Sequence, residues 1–428
     1  MINRTLHDLA LLRARRNPVV VITGPRQSGK TTLCRMAFGN RPYASLEPPD
    51  VREFATSDPR GFLAQFPDGA VLDEVQRAPH LLSYIQEIVD RRRRNGLFIL
   101  TGSQHFGLLK AVSQSLAGRS AVLHLLPLAL EEVRQFRRPP RDLFSTLFAG
   151  SYPRIHERRI PPSEWLADYT ATYVERDVRQ VLNVSDLTTF QTFLRTCAGR
   201  SGQLVNLSGL AADCGVSHNT ARAWLSVLET GFIVFRLPPL HRNLGKRLVK
   251  SPKLHFFDSG LLCYLLGIRS ADQLRQHPLR GAVFESWVAS EIYKARVHRG
   301  AAADLYFYRD RKGNEVDLFV DSGTLARAVE VKSGATVSAD FTKPVVSLAE
   351  LLAAASKPTA IESFVIYGGD QPQTRGAVRI VPWSAMESLE WVGAGESAAG
   401  ARRVSASRSQ VQARPTGRAK GRAKQPRP

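Results

Sequence analysis

The stretch Gly24-Pro25-Arg26-Gln27-Ser28-Gly29-Lys30-Thr31-Thr32 decides the fold of the first third of this chain. It follows an apolar run, Pro18 to Ile22, that is typical of a buried strand, and it precedes Leu33 to Phe38, which is typical of a helix. The order of strand, glycine-containing loop and helix is the context that the pattern GxxxxGK[ST] requires. We therefore predict a phosphate-binding loop rather than an ordinary glycine turn.

Each residue type in this loop suits a triphosphate. Gly24 and Gly29 lack a Cβ, so the backbone can turn sharply and bring its N–H groups close to phosphate oxygens. Lys30 can reach the β- and γ-phosphates, and the hydroxyl of Thr31 can bind Mg²⁺. The positive end of the helix that begins near Lys30 points toward the anion. We expect all nine residues of the stretch to line a site for ATP and Mg²⁺.

A second apolar strand, Gly69 to Leu72, ends in two acids, Asp73 and Glu74. Beside a phosphate loop, Asp73 would hold the magnesium ion through water, and Glu74 would orient and deprotonate the attacking water. A kinase of small molecules has no need of the second acid, whereas a hydrolase does. The pair therefore predicts ATP hydrolysis with Glu74 and Lys30 as catalytic residues, although an exposed strand end could carry the same two acids.

Two further features of the amino-terminal third are candidate phosphate contacts. A strand from Leu97 to Gln104 ends in small polar side chains, so Ser103 or Gln104 would emerge beside the γ-phosphate. Arg119 precedes another strand, Ala121 to Leu126, and is either an arginine finger or phosphate sensor or a solvated surface arginine. Strands that alternate with helices predict an α/β domain with a parallel sheet over residues 1–135, with its ligand at the carboxyl ends of the strands.

The chain is strongly basic, and its charge is unevenly spread. Its 428 residues carry a formal net charge of +21, and nine Lys or Arg residues without an acid lie between 401 and 428. The remaining chain keeps a charge of +12, and both parts favour a polyanionic partner, DNA in preference to RNA. No window approaches roughly 18 consecutive apolar residues. We therefore expect a cytoplasmic protein without a membrane partner, built from two or three domains.

The middle of the chain is predicted to be a helical segment, residues 136–200, followed by a small unit at residues 201–240. In that unit Ser208 is predicted to cap a helix that ends at Asp213, His218 to Thr230 form a second helix, and Phe232 to Phe235 form a strand. This order is typical of a winged helix, whose second helix would face a DNA major groove. Because the second helix is not strongly basic, a helical spacer used for packing stays an alternative.

A second α/β pattern occupies residues 241–390 and carries a set of charged side chains. Glu285 lies on a helix predicted from Gly281 to Val297, Asp317 lies on a strand, and Glu330 and Lys332 share a face of the next strand. Such a set suits metal-dependent cleavage of a phosphodiester, with Asp317 and Glu330 on Mg²⁺, Lys332 on the water, and Glu285 completing the charges as a further candidate metal ligand. Exposed charges on an edge strand are the alternative explanation.

The order of these motifs resembles a bacterial and archaeal family of AAA-type ATPases whose C-terminal domain, of unknown function, has a PD-(D/E)XK-nuclease-like fold. The resemblance extends from about Asn3 to Trp383. Besides the phosphate loop it is carried by these stretches: Leu72-Asp73-Glu74-Val75-Gln76, Leu100-Thr101-Gly102-Ser103, Tyr173-Val174-Glu175-Arg176-Asp177-Val178, Lys250-Ser251-Pro252-Lys253, Phe257-Asp258-Ser259-Gly260-Leu261 and Glu330-Val331-Lys332-Ser333.

The resemblance implies an AAA-like domain at residues 1–135, a helical segment, a winged-helix-like unit and a nuclease-like domain at residues 241–390. The tail at 391–428 departs from the family pattern, and its composition predicts disorder. The resemblance implies ATP binding at Gly24, Gly29, Lys30, Thr31 and Asp73, a hydrolytic role for Glu74, and nuclease-type residues at Glu285, Asp317, Glu330 and Lys332.

We expect a magnesium-dependent ATPase that couples its nucleotide state to a DNA-binding or nuclease-like C-terminal domain. Two alternatives stay open. One is a nucleotide-gated DNA-binding regulator with a catalytically silent C-terminal fold, and the other is an interaction module that uses ATP as a structural ligand. A homo-oligomer is compatible with these interpretations, with Arg119 acting either in its own chain or in a neighbouring subunit.

Overall fold

The computed structural model describes residues 2–103, 112, 114–173, 187–240, 250–323, 325–354, 360–393 and 396. Three predictions therefore fall wholly or partly outside the described residues. They concern Gln104, residues 174–178 of the motif that begins at Tyr173, and nearly all of the basic tail.

The amino-terminal domain is built on a five-stranded parallel sheet, as predicted. Its strands are β1 (Val19–Gly24), β2 (Tyr43–Ser45), β3 (Ala70–Asp73), β4 (Phe98–Ser103) and β5 (Ser120–His124). They lie in the order β2-β3-β4-β1-β5, and every adjacent pair is parallel. All carboxyl ends therefore lie on one edge of the sheet, where the phosphate loop continues from β1, Asp73 ends β3 and Glu74 follows it.

Helices cover both faces of this sheet. They are α1 (Leu6–Arg16), α2 (Lys30–Ala37), α3 (Pro49–Ser57), α4 (Pro59–Ala64) and α5 (Leu81–Arg92). One buried apolar cluster joins α3, α4 and α5 to the sheet, and another joins α1 and α2 to its opposite face. The central strands β1 and β3 are buried on both sides, which explains why β1 is a continuous apolar run rather than an alternating one.

The helical segment begins directly after β5. It contains α6 (Leu130–Val133), α7 (Leu143–Ala149), α8 (Pro153–Arg158), α9 (Pro162–Tyr173) and α10 (Leu187–Gly199). Pro153 stands at the first position of α8, where a missing N–H costs no hydrogen bond. The short helix α8 faces the phosphate loop across a cleft, a position that determines the shape of the site described below.

The small unit contains α11 (Leu207–Asp213), α12 (His218–Thr230) and β6 (Val234–Leu237). The cap of α11 is Asn206 rather than the predicted Ser208, because the Asn206 side chain accepts a 3.0 Å hydrogen bond from the N–H of Gly209. Strand β6 pairs antiparallel with β7 (Lys253–Phe256). The pair therefore crosses the predicted boundary at residue 240.

The last part of the chain is a mixed sheet with helices around it. Its helices are α13 (Ser259–Leu265), α14 (Ala271–Gln276), α15 (Arg280–Val297) and α16 (Lys343–Ala354), and its strands are β8 (Leu305–Arg309), β9 (Glu315–Asp321), β10 (Leu325–Lys332), β11 (Ala360–Tyr367), β12 (Gln373–Arg375) and β13 (Val378–Pro382). The strand order is β12-β13-β11-β10-β9-β8, with β10, β11 and β13 parallel and the other pairs antiparallel. Glu330 and Lys332 of β10 therefore lie beside the strand of Asp317, as predicted.

One buried apolar cluster extends from Leu126 to Trp391. It includes side chains of the helical segment, the small unit and the mixed sheet, so the predicted boundaries at residues 200 and 240 fall inside one core. Helix α15 connects this core to the segment that follows β5, the last strand of the amino-terminal sheet. Its Lys294 ammonium donates to the carbonyl of Leu128 at 2.9 Å, and its Glu291 accepts from the N–H of Leu130 at 2.7 Å. Within the described ranges no helix is both long and apolar enough to cross a membrane.

Candidate functional site

The phosphate loop has the backbone that its glycines allow. Gly24 has a φ of +153°, and a Cβ there would lie 2.1 Å from the carbonyl oxygen of Leu125. Gly29 has a φ of +94° and caps α2. Any other L-residue at position 24 would clash, and at position 29 it would be strained. The loop therefore directs the first turn of α2, with its unpaired N–H groups, toward the cleft.

Lys30 is folded back onto the loop. Its ammonium donates to the carbonyl oxygens of Gly24 at 3.1 Å and Pro25 at 2.8 Å, and the residue is 7% exposed. Burial lowers the pKa of Lys30 from 10.5 to about 8, although Glu74 and Asp73 act in the opposite direction. The ammonium is thus desolvated against neutral acceptors, and phosphate oxygens in the loop would satisfy it better.

Asp73 is held firmly at the end of β3. Its carboxylate accepts hydrogen bonds from the hydroxyls of Thr31 at 2.9 Å, Tyr43 at 2.5 Å and Thr101, and the residue is 5% exposed. Burial and the hydrogen bond to Asp73 raise the pKa of Tyr43 to about 12. A threonine hydroxyl beside a buried carboxylate offers the hard oxygen donors that Mg²⁺ prefers. The residues present therefore fit a magnesium ion carried by a nucleotide.

Glu74 adopts a left-handed backbone conformation, with a φ of +60°. This conformation is uncommon for a residue other than glycine and is concentrated at functional sites. The Glu74 side chain lines the cleft and accepts a hydrogen bond from the amide of Gln76. Gln76, which the sequence interpretation gave no role, therefore orients the predicted hydrolytic acid.

The cleft beside the loop has a volume of about 670 Å³. One wall is formed by residues 26, 27 and 29–32 with Glu47 and Glu74, and the other by α8 and α9, which contribute Arg154, Glu157, Arg158 and Thr172. Sequence reasoning missed Arg154 and Arg158. They lie more than 120 residues after the loop. The sequence feature that could have indicated them, two arginines four positions apart on a short helix, is equally common on surface helices without a function.

A second cavity of about 280 Å³ adjoins the first. The two share Gly29, Thr32, Pro153 and Glu157 in their linings. The second is lined largely by apolar and basic side chains: Ile2, Arg4, Leu33, Met36, Leu128, Phe136, Arg137, Arg138, His156 and Arg159. A polar cleft joined to a partly apolar cavity matches the two ends of a nucleoside triphosphate.

The two other predicted phosphate contacts lie at opposite ends of the sheet. Ser103 ends β4 and is paired in register with Gly24, so its backbone adjoins the loop. Arg119 lies just before β5, where its carbonyl accepts from the N–H of Val19, the first residue of β1. Its guanidinium contacts Asp90 at 2.5 and 2.8 Å. Arg119 is therefore at the edge away from the phosphate loop of its own chain, and of the interpretations left open for it, a surface arginine or a contact to a neighbouring subunit agrees with this position.

The charged residues predicted in the C-terminal domain lie together. Lys332 donates to Glu330 at 2.6 Å, and Asp317 accepts from the N–H of Val331 at 2.8 Å. The second oxygen of Glu330 is buried and has no hydrogen-bond partner among the described residues. An unpartnered carboxylate oxygen at this depth is costly, and it fits a site that binds a cation.

Lys253 of β7 enters the same cluster, although sequence reasoning gave it no role in the site. Its ammonium contacts Glu285 at 2.8 Å, Glu315 and Asp317, the last at 3.9 Å, and its side chain is 3% exposed. Glu285 thus faces a lysine. In the part of the chain that the structure describes, no three side chains of His, Cys, Asp or Glu are grouped to hold one metal ion. The predicted use of Glu285 as a third ligand beside Asp317 and Glu330 therefore differs from the arrangement found.

The electrostatics of this cluster reflect crowded carboxylates. Burial raises the pKa of Glu285 to about 7 and that of Glu330 to about 8, and the charge of Asp317 adds to both shifts. Burial also raises the pKa of Asp317 itself. For Lys253 burial acts to lower the pKa, but the surrounding carboxylates outweigh it and raise the pKa above its ordinary value. The cluster therefore favours added positive charge.

Three family models match successive parts of the chain. Residues 16–134 match the AAA domain, residues 140–272 match a domain of unknown function (DUF8612), and residues 280–386 match another domain of unknown function (DUF4143). The first match identifies the amino-terminal sheet as an AAA-type P-loop domain, in agreement with the resemblance found in the sequence, and supports ATP binding. The third assigns no activity to the mixed sheet.

Two curated proteins are similar over most of the chain. They are the uncharacterized protein Rv2008c of Mycobacterium tuberculosis and the uncharacterized protein Mb2031c of Mycobacterium bovis. Each is 32% identical over 326 residues, which cover 76% of this chain and 72% of the relative. The chain belongs to the same family as these mycobacterial proteins. This family membership extends well beyond the AAA domain.

Solved structures are also similar to parts of this chain. The Walker-type ATPase PABY2304 of Pyrococcus abyssi is 14% identical, with a TM-score of 0.40, and the match covers 62% of this chain and 96% of that one. DnaA of Aquifex aeolicus bound to AMPPCP is 17% identical, with a TM-score of 0.28, and the match covers 52% of this chain and 86% of that one.

Proposed function

We propose that this protein is a magnesium-dependent ATPase whose nucleotide state acts on the mixed-sheet domain. The observation that carries the proposal is the desolvated Lys30 ammonium in a glycine-lined loop, next to the hydrogen-bonded pair of Thr31 and Asp73. A buried cation on neutral carbonyls and a hydroxyl–carboxylate pair meet at one helix N-terminus. Together they match the phosphate and the magnesium ion of ATP.

The residues of the cleft divide the work of hydrolysis. Lys30 and the first turn of α2 bind the phosphates, and Thr31 with Asp73 would hold Mg²⁺, which when bound neutralises charge on the phosphate oxygens. Glu74 accepts the proton of the attacking water, oriented by Gln76. Arg154 and Arg158 on the opposite wall supply positive charge toward the terminal phosphate.

The coupling runs through the elements that follow the AAA domain. Helix α8 carries Arg154 and Arg158 and belongs to the helical segment, whose core continues into the mixed sheet. Helix α15 connects residues 128–130 to the cluster around Glu285. A terminal phosphate that attracts α8 would therefore move elements that share a core with the second site.

Exchange of Glu74 for glutamine tests the hydrolytic role. Glu74→Gln is expected to lower the rate of Mg²⁺-ATP hydrolysis at least about 100-fold, because the amide cannot accept a proton from the attacking water. Binding of a fluorescent ATP analogue should persist. The matched control is Glu47→Gln, which removes the same charge from the lining of the same cleft. Near-zero hydrolysis in wild type and variant alike would favour ATP as a structural ligand.

We further propose that the mixed-sheet domain cleaves a phosphodiester of DNA. The specific observation in its favour is the buried, unpartnered oxygen of Glu330 between Asp317 and Lys332. Asp317 and Glu330 would bind one Mg²⁺, which polarises the scissile phosphate when bound, and Lys332 stabilises the attacking water. The basic tail at 401–428 and the winged-helix-like order of α11, α12 and β6 support a DNA partner.

Cleavage of supercoiled plasmid DNA in Mg²⁺, with and without ATP, tests this second function. Lys332→Ala is expected to abolish nicking, whereas Lys343→Ala, which removes an exposed lysine paired with Asp340, should leave it intact. Cleavage that survives Lys332→Ala and Asp317→Ala would remove the nuclease site. Nucleotide-dependent DNA binding without any cleavage would favour the regulator with a silent C-terminal fold.

Oligomers fit the same proposal through Arg119. It lies on the surface at the edge of the sheet opposite its own nucleotide site, paired with Asp90. We propose that in a homo-oligomer this arginine reaches the phosphates of a neighbouring subunit. Sedimentation with and without ATP would test assembly, and Arg119→Ala mixed with Glu74→Gln would test hydrolysis across the interface. Mixed variants that are no more active than each alone would argue against it.

A further inference from the structure

The Lys253 ammonium lies at the centre of a cage made by other elements. Glu285 comes from α15, and Glu315 and Asp317 come from β9. The ring of Phe307 lies 5.5 Å from the ammonium and closes another side. Three carboxylates and an aromatic face thus surround the Lys253 ammonium, much as carboxylate ligands surround a metal ion.

The backbone fixes Lys253 in this position. In β7 it is paired with Leu237 of β6, and it forms a bridge with Leu204 on its other side. Next to it, Leu254 exchanges hydrogen bonds of 2.7 and 2.9 Å with Gly202 and Gln203. The lysine therefore comes from outside the mixed sheet, on a strand held from both sides, and its charge is a permanent part of the site.

The charges of the cluster are nearly balanced. Four carboxylates, Glu285, Glu315, Asp317 and Glu330, face the two ammonium groups of Lys253 and Lys332, and Arg309 reaches Glu315 at 3.4 Å from the exposed side. With all four carboxylates ionised, the remaining charge is about one negative unit. One divalent cation gives a small positive charge suited to a phosphate, whereas two would leave a large excess.

The two sides of the cluster differ in whether their carboxylates are already engaged by a lysine. On the side of Lys332, Glu330 keeps a buried oxygen without a partner in the described part of the chain. On the other side, Glu285 and Glu315 are already engaged by Lys253. His255 lies near Glu285 at 3.9 Å and is neutral, because burial and Lys253 lower its pKa to about 3. It therefore adds no charge.

We propose that Lys253 occupies the position of a second metal ion, so that the C-terminal site accepts one divalent cation and not two. This inference rests on the proposed metal-binding role of Asp317 and Glu330. Lys253 is then a positioning residue: it holds Glu285 and Asp317 in place and limits the site to a single ion.

Counting bound Mn²⁺ on the full chain without nucleotide tests the inference. We expect Lys253→Met to bind about one more Mn²⁺ ion per chain than wild type, because the freed Glu285 and Glu315 then take a second ion. Lys253→Arg keeps the charge and should keep the wild-type count. Free Mn²⁺ is measured by electron paramagnetic resonance, and any ion at Thr31 and Asp73 is common to all variants and cancels in the difference.

Glu330→Gln separates this inference from the proposed metal site. It should lower the wild-type count by about one ion, and an unchanged count would overturn the metal site itself. If Glu330→Gln lowers the count but Lys253→Met does not raise it, the role of Lys253 is overturned. Should Lys253→Met require Mn²⁺ in order to fold, the metal content of protein purified in Mn²⁺ and then desalted gives the same difference by elemental analysis.

Discussion

Lys30 and Lys253 are both buried lysines, and their surroundings shift their pKa values in opposite directions. Lys30 donates to two neutral carbonyls, and burial lowers its pKa to about 8. Lys253 faces three carboxylates, which raise its pKa above the ordinary value in spite of burial. The Lys30 ammonium thus makes its hydrogen bonds to neutral acceptors, with Glu74 and Asp73 acting on it only at longer range, whereas the Lys253 ammonium contacts carboxylates directly.

The difference separates a ligand-binding cation from a structural one. A desolvated ammonium without an anion destabilises the folded chain and gains when a phosphate arrives. An ammonium within carboxylates stabilises the fold and has no affinity left for an anionic ligand. Burial alone would have grouped the two residues together, so the partners of a buried lysine indicate its role better than its depth does.

Neutral replacements of the two lysines are the strongest test of this contrast. Lys253→Met is expected to lower the free energy of unfolding by about 3–5 kcal/mol, because it leaves buried carboxylates without their cation. Lys30→Met removes an unfavourably buried charge, so its free energy of unfolding should stay within about 1 kcal/mol of wild type. Urea denaturation without nucleotide or divalent metal measures both.

For nucleotide binding the expected order is the opposite: Lys30→Met should have the larger effect and Lys253→Met the smaller. Lys30→Met is expected to weaken binding of an ATP analogue about 100-fold, which corresponds to losing a charge-assisted hydrogen bond worth about 3 kcal/mol. Under conditions where it is folded, Lys253→Met should bind the analogue as wild type does. If the two variants lose equal stability, or equal affinity for the ATP analogue, the two lysines do not differ in role as described here.

Arg154 and Arg158 refine the contrast, because they are exposed cations on the wall opposite Lys30. Arg154→Ala or Arg158→Ala should lower the rate of ATP hydrolysis about tenfold, as expected from one lost charge-assisted contact of about 1.4 kcal/mol. The control is Arg91→Ala on α5, an exposed arginine outside the cleft. Rates equal to that control would leave Lys30 as the cation that serves the phosphates.

The pH dependence of ATP binding is the smallest expected effect. Below pH 8 Lys30 already carries its proton; above pH 8 binding must take up a proton, so affinity should fall about threefold between pH 7.5 and 8.5. The sign for stability is the reverse. Between the folded pKa of about 8 and the unfolded value of 10.5 the unfolded chain binds more protons, so stability of the nucleotide-free protein rises with pH.

Calorimetry in two buffers of different ionisation enthalpy at pH 8.5 measures the proton uptake directly. Wild type should take up a proton on binding the ATP analogue, and Lys30→Met, with no titrating group at this position, should not. Proton uptake that is the same in both proteins would assign the pH dependence to another group.

Local structure could be predicted well wherever the signal is contiguous. The bounds of α12, His218–Thr230, agree with the sequence prediction to the residue. The phosphate loop and the two acids after β3 also lie where a single pattern put them. The cap of α11 was misassigned because Asn206 and Ser208 are both good capping residues two positions apart, and only the path of the chain decides between them.

The site residues that the sequence did not predict were missed for a different reason. Lys253, Arg154 and Arg158 reach their sites through packing between distant elements, and their local sequence gives no hint of the partner. Arg119 is a different case, because it precedes its strand and parallel strands place their ligand at the carboxyl ends. That rule was enough to exclude it from the phosphate site of its own chain.

Helix α15 has a practical consequence for anyone who wishes to study the two halves separately. Its Glu291 and Lys294 satisfy the backbone of residues 128–130, and Leu126 and Leu130 belong to the large core that continues to Trp391. A fragment that stops near residue 135 would expose that apolar surface to water and remove the partners of those backbone groups. An isolated nucleotide-binding half is therefore expected to aggregate unless the fragment also includes the chain up to the end of α15.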